Sequence, residues 1–209
     1  IDAFVTNAGS SGASSVSAYA DIHAGDDGIY AFNAGTGTVD VYTGAGGDIT
    51  AGTAGVRAIS VGAGDTDITV ETFGTITSGF HGIWAQEFNG ASTGTITVTA
   101  HDAIDSNTRG INAINAGTGG VDITTTATGD ISGNALFGIY ATAAGGALDI
   151  TNNGDIGTSG NAVTTDGIYA RLTGGAGTLT VDGSGAIFAD RKSTRLNSSH
   201  TDISRMPSS

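Results

Sequence analysis

Carboxylates stand at a fixed phase in this chain. Asp21, Asp48, Asp130 and Asp155 each directly precede an isoleucine, and Thr75, Ala103 and Ala186 hold the equivalent place elsewhere. If these positions stack on neighbouring strands, Asp21/Asp48 and Asp130/Asp155 form pairs about 4.8 Å apart. Two unit charges at that distance repel by a little under ~1 kcal/mol in water, which a surface tolerates. Paired carboxylates could gather Ca²⁺, which takes six to eight oxygens. Aspartate after glycine is also ordinary turn chemistry, and that is the expected role here.

A second acidic group is Asp65, Asp67 and Glu71, and a third is Asp102 and Asp105. Two carboxyls flanking a glycosidic bond are what sugar hydrolysis requires, but they must meet in a groove. No inserted loop builds one beside these residues, and no Arg or Lys adjoins them to hold a uronate. His23, His81, His101 and His200 fall at unrelated phases, without partners at metal-ligand spacing, and are expected at the surface. No catalytic residue, metal ligand or cofactor is assigned. The chain is expected not to be an enzyme.

The remaining chemistry-bearing column is aromatic. Tyr30, Trp84, Tyr140 and Tyr169 share one phase with Asp2, Arg57 and Asn112. Aromatic side chains on a solvent face can stack on sugar rings or anchor a protein partner. Alternatively they stack on one another and stabilise the scaffold. The four are carried forward as a candidate ligand-contact ladder, with ladder stacking the favoured role.

What must position these columns is a repeat. Gly-Ile-x-Ala or a close variant starts at Gly28, Gly55, Gly82, Gly110, Gly138 and Gly167, at intervals of 27, 27, 28, 28 and 29 residues. Ile1-Asp2-Ala3 fits a further copy. Each repeat continues with two aliphatics one residue apart, such as Val39/Val41 or Ile96/Val98, and then a lone isoleucine such as Ile49 or Ile131. Alternation with period two places these apolar residues on one face of short strands. The Gly, Asn, Asp, Ser and Thr clusters between them are turn material. Three strands and three turns per repeat describe a single-stranded parallel β-helix of about seven coils, whose crossovers are expected to be right-handed. Ile29, Ala31, Val39, Val41 and Ile49 should be buried and stack on their equivalents one repeat on.

Composition divides the chain at the end of the repeat. Residues 1–189 carry all 36 glycines, 18 acidic side chains and three basic ones, a formal charge of −15. Such a segment repels nucleic acid and anionic lipid. No cysteine and no run of 18 apolar residues occurs, so neither disulfides nor an apolar helical span is expected. Residues 190–209 carry four basic residues and no glycine. The stretch from Asp190 to His200 resembles a translated sequencing-adapter read-through, and this tail is expected to stand apart from the helix, unpaired or artefactual.

The repeat as a whole, G-I-x-A … V-x-V … G-D-I, rich in Gly, Ala and Thr and free of Cys, resembles the passenger regions of autotransporter-type outer-membrane proteins of Gram-negative bacteria. The likeness covers residues 1–189 and lies in repeat style. It implies a secreted stalk or adhesin segment at the bacterial surface, meeting a host or matrix glycan or protein. It also implies a downstream membrane β-barrel outside this chain. The competing class is a fragment of a carbohydrate-active β-helix enzyme or of a phage tailspike.

Overall fold

The structure, a computed structural model, describes residues 1–174, 177–190 and, for the backbone, 195–197. Its architecture is a parallel β-solenoid with three strands per turn and about 6 turns. Among the described residues the repeats stack into three parallel sheets of eight, seven and five strands, the last two repeats joining the third sheet only through single bridges at Ile156 and Ile187. The first sheet runs from Asp2–Val5 through Ile29–Asn33, Val56–Ser60, His81–Glu87, Arg109–Asn115 and Phe137–Ala143 to Asp166–Leu172. The second holds the paired aliphatics, as in Val39–Thr43 and Ile96–Ala100, and the third the lone isoleucines, as in Ile49–Ala51 and Ile104–Ser106.

Register follows the repeat without slippage. Ile83 pairs with Val56 on one side and Ile111 on the other, and Ile96 with Ile68 and Val121. Along most strands burial alternates, and Ile29, Ala31, Val39, Val41 and Ile49 are all at most 2% exposed. The core is therefore a set of aliphatic columns running the length of the rod. A one-residue slip would turn a whole column to solvent, which is why β-branched alternation specifies the register so firmly. Among the described residues no helix is long and apolar enough to cross a membrane.

Two corners explain sequence features that alternation leaves open. The first is the glycine of Gly-Ile-x-Ala, at the corner between the third and first sheets. A Cβ built on Gly82, Gly110 or Gly138 would sit well inside 3.0 Å of the Cγ2 of Ile104, Ile131 or Ile156, and equally close to the carbonyl of the next glycine in the column. The lone isoleucine fills the space that a side chain would need. The repeat's glycine and its third-sheet isoleucine are thus one packing unit.

The second corner joins the first sheet to the second. Asn33 and Asn115 point inward, are at most 1% exposed, and make the same three hydrogen bonds. Asn115 Nδ2 donates to the carbonyls of Gly94 and Gly120, each at 2.9 Å, and its Oδ1 accepts the Gly117 N–H at 2.9 Å. Asn33 repeats this with Gly12, Thr38 and Gly35. In the register between them, Glu87 is fully buried; it accepts the Asn89 N–H at 2.7 Å and the Thr66 hydroxyl at 2.6 Å. Most buried polar groups in proteins are partnered in this way, and here these bonds tie the turn to the coil before it.

The tail departs from expectation in one place. Arg195–Asn197 forms an eighth strand of the first sheet, registering with Tyr169, Ala170 and Arg171. The Asp190 N–H donates to the Val163 carbonyl at 2.9 Å. The tail is therefore not wholly unpaired. The edge of a parallel sheet offers unmet N–H and C=O groups, and a nearby extended segment satisfies them whatever its repeat character. The other residues of 191–209 lie outside the described residues.

Candidate functional site

The aromatic column lies on the outward side of the first sheet, in one line. Tyr30 registers with Arg57, Arg57 with Trp84, Trp84 with Asn112, Asn112 with Tyr140, and Tyr140 with Tyr169. Each of the four candidate residues is half-buried. The rings do not project as separate platforms. The Arg57 guanidinium lies between two of them, 4.5 Å from the Tyr30 centroid and 4.7 Å from that of Trp84. Tyr140 and Tyr169 stack at 4.7 Å with 6° between their planes, and Arg109 covers Tyr140 at 4.1 Å. Trp84 Nε1 donates to Gln86 Oε1 at 2.9 Å.

Several ring faces in this column are covered by neighbours along the rod. A sugar cannot lie flat on a face already occupied by a guanidinium or a second ring, so a ligand would meet mainly edges, hydroxyls and flanking apolar groups. The column divides into two stacked segments, Tyr30–Arg57–Trp84 and Arg109–Tyr140–Tyr169. Sequence reasoning placed the four aromatics and Arg57 in one column but gave Arg57 no role between its rings, and it missed Arg109 as the cover over Tyr140. It also missed the flanking residues Phe4, Phe32, Phe80, Phe88 and Phe137. The same repeat register, applied two to four residues either side of the column, carries that signal.

His81 is a correction to the surface assignment. It is 3% exposed, stacks obliquely on Phe80 at 4.1 Å, and meets the Trp84 ring edge-on at 5.3 Å. Its Nδ1 is buried without a hydrogen-bond partner. Burial, helped by the nearby Arg109 charge, lowers its pKa to about 4. Burial also lowers the Arg109 pKa, against the pull of Tyr140. A histidine without partners at ligand spacing is expected at the surface, but Phe80 and Trp84 pack against this one and cover it. A histidine whose folded pKa lies below its ordinary 6.5 takes up its proton more readily when unfolded. Its contribution is therefore complete above pH 6.5 and is lost as pH falls toward 4. Urea unfolding should show stability declining between pH 7 and pH 5, and His81→Gln should flatten that decline relative to the parent chain. An unchanged slope in the variant would assign the decline to other groups.

The carboxylate column has a structural use. Asp21 Oδ1 accepts the N–H of Asp48 at 3.3 Å, and Asp48 Oδ1 that of Thr75 at 2.8 Å. Asp130 Oδ1 accepts the Asp155 N–H at 2.7 Å, and Asp155 Oδ1 that of Ala186 at 2.8 Å. Each carboxylate thus caps the equivalent residue one coil on. Asp67 does the same for Thr95 at 2.7 Å, and Glu71 lies 3.0 Å from His101 Nε2. Among the described residues no group of three or more His, Cys, Asp or Glu side chains is placed to hold a metal ion. Asp130→Ala should cost about 1 kcal/mol of unfolding free energy, as loss of one charge-assisted bond does, whereas Asp130→Asn should retain most of it. Equal losses for both variants in urea titrations would mean that the carboxylate acts through its charge alone.

Fold and site together define a parallel β-solenoid with one aromatic and arginine-bearing face. No protein-family model, curated protein or solved structure matches the chain.

Proposed function

We propose that this chain is a segment of a non-enzymatic, extracellular β-helical stalk or adhesin of the autotransporter type. The observation that carries the reading is the uniformity of the coils: the intervals of 27 to 29 residues leave no insertion from which to build a catalytic groove. The acidic residues best suited to sugar chemistry, Asp67 and Glu71, are engaged in inter-coil contacts. On this reading the rod spaces and presents its outward face at a bacterial surface, and the ladder face is the part that meets a host or matrix glycan or protein. A membrane β-barrel elsewhere in the same polypeptide would carry it there. The composition suits that setting, being cysteine-free, lysine-poor and acidic.

The direct test is activity. The purified chain should cleave neither polygalacturonate, nor alginate, nor a general protease substrate, and should retain its fold throughout. Reproducible turnover abolished by Asp67→Asn would replace the stalk with an enzyme.

A further inference from the structure

The outward surfaces of the three sheets differ sharply in chemistry. On the second sheet the outward residues include Asp40, Thr69, Thr97, Asp122 and Asp149. On and beside the third they include Asp21, Asp48, Asp105, Asp130 and Asp155. Residues 1–190 contain three basic side chains, Arg57, Arg109 and Arg171, and all three lie on strands of the first sheet. Most of the aromatics lie there too. Phe80 and Leu136 stand exposed along one margin of that face, and Val61 and Phe88 along the other. Tyr, Trp, Phe and Arg are the residues enriched in protein interfaces, while Asp and Ser, abundant on the other faces, are depleted there.

From this segregation we infer that the outward face of the first sheet is a self-association surface, occupied by a second copy of this chain. Charge selects the occupant. Two rods this acidic repel one another through their Asp-bearing faces. Only the first-sheet face, where Arg57 is paired with Asp27 at 3.4 Å, lets two copies meet with their acidic faces turned away. Size is sufficient. Seven strands spaced about 4.8 Å apart, each about 20 Å long, give about 600 Å² per copy, the lower edge of specific dimer interfaces.

Symmetry supplies a further match. The strand bearing Trp84 is the fourth of the seven from Asp2–Val5 to Asp166–Leu172. An antiparallel two-fold centred on it, with its axis along the strands, sets Arg171 of one copy, an exposed cation, opposite Phe4 of the other, two residues along the strand from the exposed Asp2 and within reach of the long arginine side chain. The same operation brings Tyr30 against Tyr140 and Phe32 against Thr142. The stacked column then serves both roles considered for it: it is rigid because its rings stack, and rigidity lowers the cost of docking. This inference does not depend on the chain being exported, and where two copies meet it gives the ladder face to the second copy in place of a host or matrix ligand.

Sedimentation velocity of the full chain tests it. A dimer should appear with rising concentration and strengthen in about 0.5 M NaCl, where the Debye length shrinks to a few ångströms and global repulsion is screened. Emission of Trp84, the chain's sole tryptophan, should shift to the blue in step with dimer formation. Phe80→Glu and Phe88→Glu, at exposed sites that leave the core intact, should each raise the dissociation constant at least tenfold. Phe88→Ser serves where a glutamate impairs folding. Arg171→Asp should weaken the dimer, and adding Asp2→Arg should restore it, while Asp122→Lys on the second sheet should not weaken it. A monomer at every concentration and salt would overturn the inference. So would association that is indifferent to the Phe80 and Phe88 substitutions, or that grows into open-ended chains through the coil ends.

Discussion

Gly110→Ala should destabilise this protein by about 3 kcal/mol or more, although it adds one methyl group and improves local propensity. The added carbon would lie 2.7 Å from the carbonyl oxygen of Gly138 and would overlap Ile131 Cγ2. The first of these neighbours is backbone held by the ladder and cannot yield without shifting a strand. Overpacking of this kind is costly because the interior is already at crystal-like density. The same substitution at Gly25 or Gly160 meets nothing within 4 Å and should change stability by only a few tenths of a kcal/mol. Chemical unfolding of the three variants gives the comparison. Removing the Cγ2 that the new methyl meets should recover part of the loss, so Gly110→Ala with Ile131→Ala should be less destabilised than the sum of the two single changes. If Gly110→Ala were as benign as Gly160→Ala, the corner would not be packed as described.

Asn115→Ala should cost about 3 kcal/mol. The substitution removes three buried hydrogen bonds and leaves the Gly94 and Gly120 carbonyls and the Gly117 N–H without the partner they have. Leaving buried groups unsatisfied costs about 1–3 kcal/mol each, partly relieved where the turn loosens and admits water. Asn115→Asp keeps the acceptor but loses both donations and places a charge beside two carbonyls, so it should be no better tolerated than alanine. Asn33→Ala removes an identical set of bonds, but near the start of the rod, where fewer coils rest on it. In a solenoid whose stability sums over neighbouring coils, that loss should appear as local fraying more than as a lower global midpoint. Hydrogen exchange resolves the two: protection should fall across the coils flanking Asn115 in one variant and only near residues 1–33 in the other. Equal, global loss in both would indicate a rod that unfolds as one unit.

The sequence alone determined the fold class, the strand register and the identity of the core. Its signal was doubly redundant: period-two alternation sets which side chains point inward, and the repeat of 27 to 29 residues sets which strand each must pair with. Ile83 against Val56 and Ile111 follows from counting, as does the outward line from Tyr30 to Tyr169. The sequence also marked the acidic column, although the role expected from it was turn chemistry and the carboxylates bond the next coil instead.

Tertiary structure decided what each column does, because that depends on contacts one coil away and around a corner. Nothing in the letters says that Asp130 caps the N–H of Asp155 rather than its own turn, or that the repeat glycine exists to admit the third-sheet isoleucine. His81 looked exposed because its position before the glycine has no fixed character in the repeat, being Arg109, Phe137 and Asp166 in the following coils. It is buried because Phe80 and Trp84 close over it, a result of side-chain size that phase does not encode. Arg195–Asn197 joins the first sheet for a similar reason: an open strand edge accepts any extended segment within reach, and hydrogen bonding between backbones is indifferent to sequence. Periodicity therefore fixed where each side chain stands, and packing across coils fixed what it touches.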